Sequence, residues 1–242
     1  MKIYEYEQID STNEEARRKA ASGASTPALF IAGSQSAGRG RMGRSFFSPS
    51  GTGLYASLLI DAPADTDRMV LLTALTAVAA TDAIKDRLGI ELDIKWVNDL
   101  YLGSKKVSGI LAESFVCDGK RYVVIGIGIN LCTEQFPKEL EQKAGSLNGS
   151  LRLTKEQKRE LALDVAQRVI EALHSESFQI IMQKYRSRSC VIGKKITYIS
   201  GAGEVSATAI DITDSGALVV MLSDGSYTEI SSGEISIFFK EV

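Results

Sequence analysis

The apolar positions of this chain change their period twice along its length. KIYEYEQI, at residues 2–9, alternates apolar and polar positions as an opening strand does. Asp10-Ser11-Thr12-Asn13-Glu14 follows, with Ser11 and Glu14 in capping-box spacing ahead of EEARRKAAS, so a helix is predicted from about Thr12 to Ser22. ALFIAGSQ and GLYASLLI read as buried strands, and RMVLLTALTAVAATDAIKDRL has the length and period of a core helix. The centre of the chain then turns to strands. DIKWV, DLYLG, KKVSGILAESF and RYVVIGIGINL are separated by Asn98-Asp99, Gly103-Ser104 and Asp118-Gly119, all hairpin punctuation. TKEQKRELALDVAQRVIEALHS and SFQIIMQKYRSRS supply two later helices. The expectation is an α+β domain over residues 1–188, a mixed or antiparallel sheet covered by helices. From Val191 onward GKKITYIS, VSATAIDIT, GALVVMLS, YTEISS and EISIFF are short, evenly spaced strands, predicting a separate small β-barrel over residues 189–242.

Composition narrows the classes. At 242 residues, 44% apolar and 24% charged, the chain can bury one good core with material left for a small second domain. A net charge of −2 gives the whole molecule no electrostatic reason to bind DNA or an anionic membrane, so any attraction for anions must be local. Cys117, Cys132 and Cys190 are odd in number and far apart, which argues against a disulfide framework and for the reducing cytoplasm. The acidic, alternating N-terminus is unlike a signal peptide, and the longest apolar run, about Met69 to Ala80, is too short to span a bilayer. His174 is the single histidine, in the last turn of a predicted helix, where an exposed imidazole favoured by the helix dipole is expected.

Two segments carry candidate chemistry. Gly38-Arg39-Gly40-Arg41-Met42-Gly43 fits GxGxxG, but a dinucleotide fingerprint must open a helix, and Arg44-Ser45-Phe46-Phe47-Ser48-Pro49 followed by a strand does not provide one. What remains is a glycine-rich loop bearing Arg39, Arg41 and Arg44, expected to be mobile alone and to wrap an anion. Each charge-assisted bond to phosphate contributes roughly 1.5–3 kcal/mol against an ordering cost of about 1–2 kcal/mol per residue. The second segment is Lys95-Trp96-Val97-Asn98-Asp99 with Lys105-Lys106-Val107-Ser108-Gly109. Lys95 is flanked by apolar residues and needs an anionic partner, either Asp99 or a ligand carboxylate. Gly126 and Gly128 fall on one face of a strand, where another backbone or a flat ring can approach closely, and Asn130 ends that strand.

Taken in order, DSTN, SQSAGRGRMGRSFFSP, KWVNDLYL, KKVSGIL and GIGIN resemble the catalytic core of biotin protein ligases over most of residues 10–131. The resemblance implies a class II aminoacyl-tRNA synthetase-like fold with a small Src-homology-3-like barrel at the C-terminal end. The implied activity is ATP- and Mg2+-dependent: biotin is converted to its AMP ester and then passed to a lysine of a biotin carboxyl carrier protein, with no tightly bound cofactor. Carried over by position, Ser11, Thr12, Asn13, Gln35, Gly38, Arg39 and Gly109 surround biotin, and Arg41 and Lys106 meet its carboxylate and the α-phosphate. Arg44, Phe46, Asn98, Asp99, Gly128 and Asn130 belong to the nucleotide region, with magnesium placed near Asp99 and Asp99 joining Arg41 and Lys106 as catalytic. Without the resemblance, Ser11 is only a helix cap and Phe46 only core. Val97 stands where the family most often has proline, which is expected to loosen that turn. DSTN begins at Asp10, leaving no room before it for the DNA-binding module that many relatives carry, so neither repression nor nucleic-acid binding is expected. Membrane association is not expected either, and a monomer or weak homodimer is.

Two rivals predict different observations. A lipoate or octanoate ligase of the same fold would lack polar partners for a ureido ring, and DSTN and Gln35 favour biotin. An RNA-binding module would show affinity falling steeply with salt and no pyrophosphate release. Its barrel is not notably basic, and its loop lacks aromatics interleaved for base stacking.

Overall fold

Strand β1 (Lys2–Tyr6) runs parallel to β2 (Ala28–Ala32), and a parallel pair needs a crossover, which α1 (Thr12–Ala21) provides. The computed structural model describes residues 1–63, 69–175, 177–201 and 203–237. Beyond β2 every pairing is antiparallel. β3 (Gly53–Asp61), β7 (Lys120–Asn130), β6 (Lys105–Cys117), β5 (Asp99–Leu102) and β4 (Asp93–Lys95) complete a seven-stranded sheet in the order β1-β2-β3-β7-β6-β5-β4. The predicted mixed sheet covered by helices is therefore found. The predicted core helix is found as α2 (Met69–Leu88), and its predicted first residue, Arg68, lies outside the described residues.

The two faces of β7 explain the rest of the architecture. Val123, Ile125, Ile127 and Ile129 point to the face covered by α2, where they join Leu54, Leu58, Leu72, Leu75 and Ile110 in the main core. α3 (Lys155–Ser175) and α4 (Phe178–Ser187) pack on α2 from outside. The alternate positions are Tyr122, Val124, Gly126, Gly128 and Asn130. Tyr122 and Val124 pack under α1 with Ala16, Ala20, Phe30 and Leu59 in a smaller cluster. At Gly126 and Gly128 there are no side chains, and that part of the face is left bare.

The C-terminal strands β8 (Lys195–Ser200), β9 (Gly203–Ile212), β10 (Leu218–Met221), β11 (Tyr227–Ile230) and β12 (Ile235–Ile237) form an antiparallel sheet in the order β11-β10-β9-β8-β12. The predicted strand EISIFF is seen as far as Ile237, and Phe238 and Phe239 lie outside the described residues. This sheet is stitched to the larger one. The Ile94 N–H donates to Arg188 O (2.8 Å) and the Cys190 N–H to Ile94 O (3.1 Å), so the connecting segment closes the outer edge of β4. Arg186 donates to Ile212 O (2.7 Å) and pairs with Asp214 (2.8 Å). The buried Trp96 indole donates to Gly216 O (2.9 Å). Trp96→Phe keeps the ring but leaves that carbonyl without its donor, so a loss of about 1–3 kcal/mol is expected. Thermal melting should register it as a drop of about 2–4 °C per kcal/mol.

Three local expectations need correction. Ser11 does precede the first turn of α1, but its side chain makes no cap bond. The Thr12 N–H is met instead by Gln35 Oε1 (2.9 Å), and Glu14 pairs with Arg39. Spacing of three suits both a capping box and an outward-facing acid, and a nearby guanidinium decides between them. The glycine-arginine segment is a small hairpin rather than an open loop: Gly40 N–H donates to Arg44 O (2.7 Å) and Phe46 N–H to Gly38 O (2.8 Å) around a single 3-10 turn at Arg41–Gly43. Asp99 does not belong to the Asn98-Asp99 turn but opens β5, paired with Lys95. The turn between β4 and β5 contains a cis Trp96–Val97 peptide, and the Tyr185 hydroxyl donates to Val97 O (3.1 Å).

Among the described residues no helix is long and apolar enough to cross a membrane, and Cys117, Cys132 and Cys190 are free thiols.

Candidate functional site

The open end of the sheet face is a cavity of about 530 Å³, floored by β6 and β7 and walled by the start of α1, the hairpin at 38–46, the β4–β5 turn and residues 233–237 of the C-terminal sheet. Its floor is flat because glycine is required there. A β-carbon on Gly126 would come within 2.3 Å of Asn13 Oδ1, and one on Gly128 within 2.4 Å of the Phe46 ring. The flat ring expected over the glycines is thus Phe46 of the chain itself, edge-on to Tyr55 at 6.4 Å between centroids. Gly38 serves the same fit from behind, since a β-carbon there would lie 2.5 Å from Phe46 O and 2.7 Å from Ser48 Oγ.

One end of the cavity is neutral and polar. Gln35 Oε1 accepts from the Thr12 N–H (2.9 Å) and its hydroxyl (3.1 Å), while Gln35 Nε2 donates to Ser48 Oγ (2.9 Å). The fully buried Ser57 donates to Asn13 Oδ1 (2.6 Å) and lies 2.7 Å from Thr12 Oγ1. Asn13 Nδ2 donates to Glu113 (3.0 Å). Ser11 is buried beside them and lines the cavity. Ser57 and Glu113 were missed by sequence reasoning. A lone serine within the apolar run GLYASLLI was the available signal, because a hydroxyl in a buried strand must find partners.

The other end is cationic, and the partners of each cation separate their roles. Arg39 is held by Glu14 and by Glu113 (3.2 Å). Arg44 is paired with Glu234 (2.5 Å). Among the described residues Arg41 meets only neutral oxygens, Asn98 Oδ1 (3.2 Å) and Gly233 O (3.3 Å). Lys106 Nζ lies 2.7 Å from Asp99 Oδ1, yet off the line of a hydrogen bond, so that oxygen keeps lone-pair capacity without an aligned donor among the described residues. Asn98 is fastened to β6 through Nδ2 to Ile110 O (2.9 Å) and so aims its carbonyl at Arg41.

Ser11, Thr12, Asn13, Gln35, Arg39, Arg41, Arg44, Phe46, Asn98, Asp99, Lys106, Gly109 and Gly128 all line this one cavity. Gly38 and Asn130 do not. Gly38 supports the hairpin, and Asn130 donates to Gly145 O (3.0 Å) while its buried Oδ1 has no partner among the described residues. Gly233 and Glu234 join the cavity unannounced by the sequence.

A sheet-floored cleft with a neutral polar end and a cationic end defines a site for an elongated small molecule bearing an anion at one terminus. Comparison with known proteins gives the family. Residues 5–130 match the biotin/lipoate A/B protein ligase family, and residues 191–237 match the biotin protein ligase C-terminal domain. The chain belongs to the biotin/lipoate A/B protein ligase family. It is 33% identical over 223 residues to the biotin--[acetyl-CoA-carboxylase] ligase of Paracoccus denitrificans, covering 87% of this chain and 90% of that protein. It is 40% identical over 143 residues to the bifunctional ligase/repressor BirA of Bacillus spizizenii, a match that spans 58% of this chain and only 44% of the relative's length. Among solved structures it resembles the biotin protein ligase from Aquifex aeolicus in complex with biotin and ATP, with a TM-score of 0.83 and 27% identity over 98% of both chains.

Proposed function

We propose that this chain is a biotin protein ligase, joining biotin to AMP with release of pyrophosphate and then transferring the biotinyl group to the ε-amine of one lysine on a biotin carboxyl carrier protein. The observation that carries this reading is one cavity lined at one end by Thr12 and Gln35, which Ser48 and Ser57 hold from behind, and at the other by Arg41 with Lys106. Biotin has matching chemistry. Its neutral ureido ring needs both donors and acceptors, its alkyl chain suits the Gly126, Gly128 and Phe46 surface, and its carboxylate needs a cation.

In the first half-reaction a carboxylate oxygen of biotin attacks the α-phosphorus of ATP, the bond to the bridging oxygen breaks, and pyrophosphate leaves with the electron pair. Two anions must be brought together. Arg41, with no carboxylate partner among the described residues, and Lys106, partly balanced by Asp99, neutralise the meeting oxygens and the charge that grows on the phosphate. The Phe46 hairpin covers the mixed anhydride and limits its hydrolysis. In the second half-reaction the acceptor amine, with an ordinary pKa near about 10.4, must lose a proton before attacking the acyl carbon and expelling AMP. Asp99, which lines the cavity beside Lys106, is the residue proposed to orient or accept that proton. No cluster of three or more metal-ligating side chains occurs among the described residues, and one carboxylate plus substrate phosphates is the donor set that magnesium commonly takes. A magnesium ion arriving with the nucleotide would supply further charge neutralisation, with Asp99 as its protein ligand. The free thiols fit a cytoplasmic enzyme.

The deciding measurement is ATP-dependent pyrophosphate release with biotin, lipoate or octanoate supplied separately. Release is expected with biotin and not with lipoate or octanoate, because a ureido ring can add hydrogen bonds to the Thr12 and Gln35 group where an apolar dithiolane or alkyl chain cannot, and equal release with octanoate would overturn the reading. Asp99→Asn should slow transfer from preformed biotinyl-5'-adenylate, and a full transfer rate in that variant would remove Asp99 from the second step.

A further inference from the structure

One cation of the cavity has no place in the chemistry above. Lys95 ends β4, half-buried, and lines the cavity beside Trp96, Asp99 and Tyr101. Among the described residues its ammonium donates only to the Tyr101 hydroxyl, at 3.4 Å, and it stands 5.5 Å from the centroid of that ring. No carboxylate among the described residues lies within ion-pair distance of it. The two nearby acids are engaged elsewhere, Asp99 with Lys106 and Glu234 with Arg44. Burial pushes the Lys95 ammonium below the ordinary lysine range and Lys106 adds to that, against the opposing pull of Asp99, Cys190 and Glu234. A neutral hydroxyl and a ring are weak compensation for a desolvated cation, whose natural partner is an anion.

Its position indicates which anion. Passing across the floor from Ser57 on β3, through β7, β6 and β5, to Lys95 on β4 takes four interstrand steps, roughly 19 Å at about 4.8 Å each. Lys106 lies on β6, between the neutral end and Lys95. An anion that reaches Lys95 therefore lies beyond the one held by Arg41 and Lys106. In the ligase reading, on which this inference rests, the α-phosphate occupies that nearer place and the outer phosphates extend past it. We infer that Lys95 is a phosphate-binding residue that receives the β- and γ-phosphoryl oxygens of ATP, the part that leaves as pyrophosphate. Tyr101 holds the ammonium in place, and the neighbouring Glu234–Arg44 pair keeps Glu234 from taking the site.

The test uses the full chain with Lys95→Met, which keeps the length of the side chain without its charge, and Lys95→Arg. In assays of biotin-dependent pyrophosphate release, Lys95→Met should raise KM for ATP on the order of ten- to a hundredfold, the effect of one lost charge-assisted bond. The concentration of added inorganic pyrophosphate needed for half-inhibition should rise in parallel, KM for biotin should stay within about twofold, and Lys95→Arg should recover most of the loss. If Lys95→Met melts early, Lys95→Gln carries the same comparison. The inference is overturned if KM for ATP and pyrophosphate inhibition are both unmoved. It is equally overturned if transfer from preformed biotinyl-5'-adenylate falls as far as the first half-reaction, because Lys95 would then act through Asp99. Failure of the unsubstituted chain to release pyrophosphate with biotin would instead sink the ligase reading itself, and this inference with it.

Discussion

Arg41→Ala is expected to slow biotinyl-adenylate formation by roughly 10²–10³-fold while moving the melting temperature by no more than about 2 °C. The two parts of that expectation have one origin. Among the described residues Arg41 bonds only to Asn98 Oδ1 and Gly233 O, both neutral, so its removal strands no carboxylate there. Its charge is therefore held in reserve for the reaction rather than spent within the fold. Lys106→Ala should differ in kind. It leaves Asp99 unopposed on β5, so activity falls and the remaining carboxylate repels the incoming nucleotide, raising KM for ATP as well. Steady-state pyrophosphate release with both substrates varied, alongside thermal melting, separates the two variants. An unchanged adenylation rate in Arg41→Ala would remove that residue from the chemistry.

Gly126→Ala should be the most damaging single-methyl change to the fold around the site. The added carbon would sit 2.3 Å from Asn13 Oδ1 and 3.1 Å from its Cγ. Asn13 is buried and held by Ser57 and Glu113, so it has no room to withdraw. Overpacking of about 1–3 kcal/mol combines with the loss of at least one buried hydrogen bond, and a melting temperature lower by roughly 5–10 °C is expected. Biotin affinity should fall with it, because Ser57 and Thr12 share the same hydrogen-bond group. Calorimetric titration with biotin, at a temperature where both proteins remain folded, measures the second effect independently of the first. A variant that melts and binds as the parent does would mean that α1 can shift away from the floor.

Much of this site was legible because its chemistry is written in local patterns. Two glycines at alternate positions of GIGIN announce a strand face bare of side chains, and the face found is that one. The order DSTN, SQSAGRGRMGRSFFSP, KWVND, KKVSG and GIGIN is enough to gather thirteen of the expected residues on one cavity. What stayed hidden depends on partners distant in sequence. Nothing near Arg39, Arg41 and Arg44 reveals that two of the three are neutralised by Glu14, Glu113 and Glu234 and one is not. Local spacing gave Glu14 to a capping box, while the fold gives it to a guanidinium twenty-five residues away. The apolar neighbours of Lys95 suggested a buried cation needing Asp99 or a ligand carboxylate, but Asp99 is already paired with Lys106.

Arg41 and Gly233 are separated by 192 residues, and their contact imposes a schedule on the site. Synthesis proceeds at about 5–20 residues per second, so the carbonyl that steadies Arg41 leaves the ribosome roughly 10–40 s after the arginine it serves. During that interval a nascent chain can carry the glycine floor, the neutral polar end and Lys106 without the support that Gly233 and Glu234 give the hairpin. Products interrupted before residue 233 would thus lack the carbonyl that braces Arg41.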